Sequence, residues 1–93
     1  KQICSKEHRA IARKTASESF VLLKNEGVLP LSKKGTIAVV GPLANTRSNM
    51  PGTWSVAAVL DNAPSLVEGL REVVGDRAKV ETAKGSNLIG DAD

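Results

Sequence analysis

The chain predicts an α/β fold with a mostly parallel sheet, in the order helix, strand, helix, strand. Three observations carry this. Apolar residues recur at helical spacing up to Leu23 and again from Leu66 to Val74. Two short runs, Thr36–Val40 and Lys79–Ala83, read as strands between turn-forming residues. The chain has one Phe, one Trp and no Tyr among its 41% hydrophobic residues, so Val, Leu, Ile and Ala must build the core. Such a core suits helices packed on a buried sheet. At 93 residues there is room for one small domain and not for two.

Ser5 is placed to cap the first helix by accepting a backbone N–H of the first turn, and Glu7 adds a favourable charge there. Ile11, Ala12, Thr15, Ala16, Ser19, Leu22 and Leu23 share one face, with Lys6, Arg9, Arg13, Lys14 and Ser17 on the other. Phe20 and Val21 lie off the apolar stripe, which predicts last turns buried on more than one side. Asn25 or Gly27 supplies the left-handed residue that ends the helix. Val28-Leu29-Pro30-Leu31 is apolar but contains proline, and reads as an extended, packed connector. After a polar turn at 32–35, Thr36–Val40 lacks polar alternation, as expected of a strand covered on both faces.

Gly41-Pro42 ends that strand, and residues 43–53 have the composition of a loop. Residues 54–60 are ambiguous between a short helix and irregular packed chain. Pro64 suits the first turn of the second helix, with Asn62 or Ala63 just outside. Leu66, Val67, Leu70, Val73 and Val74 give its apolar face, and Gly75 stops it. Lys79–Ala83 is the second strand, reached by a right-handed β-α-β crossover. Two parallel strands leave both sheet edges open. The chain therefore reads as the first part of a larger α/β domain, with Gly85–Asp93 as a loop cut in mid-course.

Charge is uneven. Residues 1–34 hold eight Lys/Arg and three Glu, whereas residues 35–93 hold five basic and seven acidic side chains. The basic residues are scattered at helical spacing without aromatic partners for stacking bases, so nucleic acid is not the expected partner. A single cysteine, Cys4, excludes an internal disulfide and a multi-cysteine zinc site. No apolar run approaches the roughly 18 residues of a membrane span, and no signal peptide is visible.

Several residues invite chemistry and have a plainer reading. Gly41-Pro42-Leu43-Ala44-Asn45 follows a strand as a phosphate loop would. It lacks the glycine spacing of such loops, and Pro42 removes a backbone donor, so it reads as a structural turn. His8 stands beside Glu7 and Arg9, but adjacent helical positions point apart and form no acid–base pair. Cys4 has no histidine partner at a readable spacing. Glu68 and Glu72 lie one turn apart and read as solvated charges, as do Lys33 and Lys34. No cofactor and no metal ligand set is expected. Trp54, after Pro51-Gly52-Thr53 in a loop-rich segment, has a flat face that suits a sugar and an apolar body that equally suits packing against a neighbour.

The segments His8-Arg9-x3-Arg13-x3-Ser17-x2-Phe20-Val21-Leu22-Leu23-Lys24-Asn25, Leu29-Pro30-Leu31, Ile37-Ala38-Val39-Val40-Gly41-Pro42-Leu43-Ala44 and Gly52-Thr53-Trp54-Ser55 together resemble glycoside hydrolase family 3, in its bacterial periplasmic β-glucosidase type. The resemblance runs from the first helix through Ala83-Lys84-Gly85. It implies the start of the family's C-terminal domain, a three-layer α/β/α sandwich that follows a (β/α)8-type barrel. Residues 1–35 would then be the helix and connector leading out of the linker, and residues 36–93 the first β-α-β portion of the sandwich.

The resemblance further implies a retaining β-glycosidase acting on terminal non-reducing β-D-glucosyl residues, in the periplasm or secreted. Its partners would be a β-linked oligosaccharide or glucoside, together with the barrel and the rest of the sandwich. The family's nucleophile is an aspartate of the barrel, and in many members the acid/base lies farther along the sandwich, so no catalytic residue transfers to this chain. Trp54 alone carries over, as a substrate-binding residue resembling a tryptophan that reaches toward the aglycone side of the pocket. Where a second tryptophan can follow four residues later, this chain has Ala58. Two other classes stay open on the residues alone: an autonomous α/β module for a nucleotide or small ligand, and a purely structural interface domain.

Overall fold

The computed structural model describes residues 3–90, so the expectation for Asp91–Asp93 lies outside the described residues. The chain divides after Leu31 into two compact units. The first holds helix α1, Lys6–Ser19, and the connector that follows it. Ser5 caps the helix as expected, its hydroxyl oxygen accepting from the His8 N–H at 3.2 Å.

α1 stops earlier than its apolar periodicity predicts. Phe20 is already extended, at φ −69° and ψ 134°, and Phe20–Lys24 has no regular structure. Two physical reasons act together. The Ser17 and Ser19 hydroxyls donate to the carbonyls of Arg13 and Thr15, a back-bonding that weakens a helix end. A helix of this length also draws most of its stability from packing its apolar face. Every residue of α1 is exposed, and so are Phe20, Val21, Leu22 and Leu23, against the expectation of burial on more than one side. The turn at 25–29 is organised by the Asn25 side chain, which accepts from the N–H groups of Val28 and Leu29 and donates to the Leu29 carbonyl. Val28, Leu29 and Leu31 have no regular structure and are not packed among the described residues, against the expectation of a packed connector.

The second unit is built on strands β1, Gly35–Val40, and β2, Ala78–Ala83, which pair in parallel with Ile37 opposite Val80 and Val39 opposite Thr82. Between them in sequence lies helix α2, Leu66–Val74. Val67 and Val74 of α2 and Val80 of β2 are buried, with Ile37, Val39, Ala44, Leu70 and Ala78 packed around them. Residues 67, 70 and 74 form one helical stripe, which faces the sheet. Leu66 and Val73 flank that stripe and stay about half exposed.

Only one face of the sheet is covered within this unit. Val40 remains 65% exposed and Ala38 is exposed as well, so the two-sided cover expected of β1 is not present among the described residues. The reason is that α2 is the single helix of the unit, and alternate strand residues point to opposite faces.

α2 begins two residues later than a first-turn Pro64 implied. Ser65 is the cap, and Pro64 stands outside the helix. The Ser65 hydroxyl accepts from the Glu68 N–H while the Glu68 carboxylate accepts from the Ser65 N–H, a reciprocal capping box. At the other end Gly75 takes φ +54° and Arg77 donates to the carbonyls of Val73 and Val74, satisfying acceptors that the helix leaves open.

Val67→Ala is expected to destabilise the folded protein by about 1.5–3 kcal/mol, because the site is fully enclosed and cannot collapse without loss. Val73→Ala, at a position 46% exposed, should cost under about 1 kcal/mol. Urea unfolding of both variants checks this; equal losses would contradict the packing described.

Candidate functional site

β1 and β2 both end at one edge of the sheet, and the chain there is held by backbone bonds. The Gly41 N–H donates to the Ala83 carbonyl at 3.0 Å, extending the ladder one step beyond Val40. Gly41 has φ +148° and starts a turn closed by the Ala44 N–H on the Gly41 carbonyl at 3.2 Å. Gly85, at φ +73°, passes the end of β1 so closely that an added Cβ would lie 2.6 Å from Val40 Cγ1. Between these two crossings is a concavity of about 200 Å³, lined by Gly41, Pro42, Ala44, Asn45, Thr82, Ala83 and Lys84.

This edge is where open α/β sheets bind ligands. The hollow is nevertheless smaller than the roughly 300 Å³ at which ligand pockets begin. Two of its polar side chains are engaged internally. Asn45 Oδ1 accepts from the Ser65 hydroxyl at 3.0 Å, and Lys84 Nζ donates to Asn87 Oδ1. Pro42 offers no N–H. The geometry therefore keeps the expectation that Gly41–Asn45 is a structural turn.

The strongest charge arrangement of the unit lies just beyond this turn. Arg47 Nε and Nη2 fork onto the two carboxylate oxygens of Glu68, at 2.9 and 2.8 Å. Arg47 Nη1 donates to the Asp61 carbonyl at 3.5 Å and lies 3.7 Å from Asp61 Oδ1. Glu68 also accepts from the Ser65 N–H at 2.7 Å. The Arg47 guanidinium first, and the Ser65 N–H after it, hold the Glu68 carboxyl down at about 2, well below its ordinary 4.5. A carboxyl held this low stays ionised at neutral pH and has no proton to donate as a general acid. Glu68 is thus half-buried and paired, a correction to its expected role as a freely solvated charge; Glu72 is exposed as expected.

Trp54 stands in the segment 48–60, which has short turns and then irregular chain up to a 3₁₀ turn at Leu60–Asn62. That resolves the ambiguity of residues 54–60 in favour of irregular chain, although it is exposed rather than packed among the described residues. Trp54 itself is 95% exposed. His8 and Cys4 are exposed and lie in the first unit. Among the described residues no group of three or more His, Cys, Asp or Glu is gathered as a metal site would require, and no helix is long and apolar enough to cross a membrane.

Sequence reasoning passed over Arg47, Asp61 and the part that Ser65 plays with Glu68. The Ser-x-x-Glu spacing of 65 and 68 was a readable capping-box signal. Nothing local in the sequence pairs Arg47 with a residue 21 positions away.

Comparison with known proteins is consistent along the chain. The family described as "Glycosyl hydrolase family 3 C-terminal domain" matches residues 20–92. A "Periplasmic beta-glucosidase" of Salmonella typhimurium is 49% identical over 88 residues, covering 94% of this chain and 12% of the relative. A "Beta-xylosidase" of Formosa agariphila is 35% identical over 89 residues, covering 88% of this chain and 12% of the relative. A "Thermostable beta-glucosidase B" of Acetivibrio thermocellus is 35% identical over 85 residues, covering 90% and 11%. The chain thus spans about an eighth of the length of these relatives.

The Glu68 cluster makes stability depend on pH with a definite sign. A carboxyl whose folded value is depressed contributes fully above its unfolded value, near 4.5, and loses that contribution as pH falls toward 2. Glu68→Gln should therefore lower the Tm at pH 7, and the gap to the parent protein should narrow steadily below about pH 5. Thermal melts across pH 7 to 3 check this; a gap independent of pH would mean that the Glu68 charge is not what matters.

Proposed function

The chain belongs to the C-terminal domain family of glycosyl hydrolase family 3, and on that premise we propose that it is part of a retaining β-glucosidase that removes terminal non-reducing β-D-glucosyl residues. The observation that carries this is the 49% identity over 94% of the chain to a periplasmic β-glucosidase. Residues 1–35 are the helix and connector that lead out of the linker, and residues 36–93 are the first β-α-β portion of the sandwich domain. The protein works in the periplasm or as a secreted enzyme.

Its own residues support a supporting role in the chemistry. A retaining glycosidase needs two carboxyl groups about 5 Å apart, one attacking the sugar and one donating a proton to the leaving oxygen. In this chain Glu68 is locked to Arg47 as an anion and Asp61 faces the same guanidinium. Glu68, held in this way, is not free to attack or to protonate. The resemblance to the family implies that the nucleophile is an aspartate of the barrel and that in many members the acid/base lies later in the sandwich. The present segment caps the mouth of the barrel, keeps water from the reacting centre and shapes the side where the leaving group sits.

Trp54 lines that aglycone side. Its wholly exposed ring has an apolar face free to lie against a pyranose, where dispersion favours the sugar's axial C–H groups. The other use of an exposed tryptophan is to wedge against the neighbouring domain, and the two are separable. In the full-length protein, Trp54→Ala should raise KM for a β-linked glucosyl oligosaccharide about 2- to 10-fold, and for an aryl β-glucoside by less. Equal losses on both substrates with a lower Tm would assign Trp54 to packing instead. Preference for an aryl β-xyloside over the aryl β-glucoside in the parent protein would overturn the glucosidase assignment.

A further inference from the structure

Residues 48–60 leave the turn after β1 and return to α2 with Trp54 near their middle. Trp54 is 95% exposed and Val56 93%, so side-chain burial does not set where this segment stands. Its ends do. Arg47, the residue before it, and Asp61, the residue after it, are joined through Arg47 Nη1, which reaches both the carbonyl and the carboxylate of Asp61. The remaining edge of the same guanidinium, Nε and Nη2, grips Glu68. Glu68 sits next to the fully buried Val67, and the Ser65 N–H fixes its carboxylate.

From this juxtaposition we propose that Arg47 is a positioning residue for oligosaccharide binding: it clamps both ends of the Trp54 segment to the start of α2 and so sets where the Trp54 ring meets the leaving-group sugar. The proposal rests on the assignment of Trp54 to the aglycone side. Short-range turn bonds run from the Arg47 backbone toward the neighbours of Trp54. The Met50 N–H donates to the Arg47 carbonyl at 3.1 Å, the Gly52 N–H to the Asn49 carbonyl at 3.3 Å, and the Ser55 hydroxyl to the Gly52 carbonyl at 3.4 Å. These turns give the segment local order between its clamped start and the neighbours of Trp54. The task calls for arginine, because a planar fork holds a carboxylate with one edge and still presents donors to a second partner. A lysine ammonium is a single point of charge on a flexible stem.

The test uses the full-length protein with Arg47→Met, Arg47→Lys, Trp54→Ala and the double variant Arg47→Met/Trp54→Ala. KM, kcat and Tm are measured with a cello-oligosaccharide and an aryl β-glucoside. Arg47→Met should raise the oligosaccharide KM about 3- to 10-fold, with kcat and the aryl glucoside constants within about 2-fold. Arg47→Lys should recover part of the loss. In the Trp54→Ala background, Arg47→Met should add less than about 2-fold, because the ring it positions is gone.

Fully multiplicative effects would overturn the proposal, as would equal loss on both substrates that follows Tm. An oligosaccharide KM unchanged by Arg47→Met but raised by Trp54→Ala sinks the clamp and leaves the Trp54 assignment standing. An oligosaccharide KM unchanged by Trp54→Ala sinks both. Should Arg47→Met fail to fold, Arg47→Lys is read in its place: a raised oligosaccharide KM supports the clamp, and a parental KM rejects it.

Discussion

The grip of Arg47 on Glu68 is the contact on which the geometry at the start of α2 depends, because it joins three pieces of chain, two of which also share the backbone bond from the Val67 N–H to the Ala44 carbonyl. Glu68 belongs to α2, Arg47 to the loop after β1, and Asp61 to the return path into the helix. Ser65 completes the join. Its hydroxyl caps α2 and donates to Asn45, and it is only 2% exposed with both hydrogen-bonding roles satisfied. The same few atoms thus start a helix, pin a loop and face two carboxylates with one guanidinium. Charge-assisted bonds of this kind are directional as well as strong, which makes the geometry definite where burial is sparse.

Burial is sparse here. Three valines form the enclosed core of the unit, with half-buried aliphatic residues around them. Val40 and Ala38 show to solvent on the sheet face opposite α2, and the leucines of the first unit are exposed as well. Membership of a domain family whose relatives are about eight times longer gives these surfaces a natural reason. Apolar faces of strands and helices are stable when another layer covers them, and in this family further chain is there to do so.

The functional picture follows from what the charged groups are already doing. Glu68 and Asp61 answer to one arginine and Lys84 to Asn87, so these side chains serve the architecture. The loop between β1 and α2 carries Trp54, whose side chain is 95% exposed.

Much of this was legible in the chain itself. Ser5 and Gly75 mark helix ends by local hydrogen bonding and by a left-handed backbone, both properties of a few consecutive residues. The spacing of Val67, Leu70 and Val74 named the buried face of α2, and the two short runs before Gly41 and Lys84 named the strands. The motif set around Leu22-Leu23-Lys24-Asn25 and Val40-Gly41-Pro42-Leu43-Ala44 named the family. Only the tertiary structure decided that α1 ends at Ser19, that β1 is covered on one face, and that Arg47 chooses Glu68. The physical reason is one of range: caps, turns and periodicity act within a few residues, whereas burial and ion pairing depend on which distant segments the fold brings within a few ångströms.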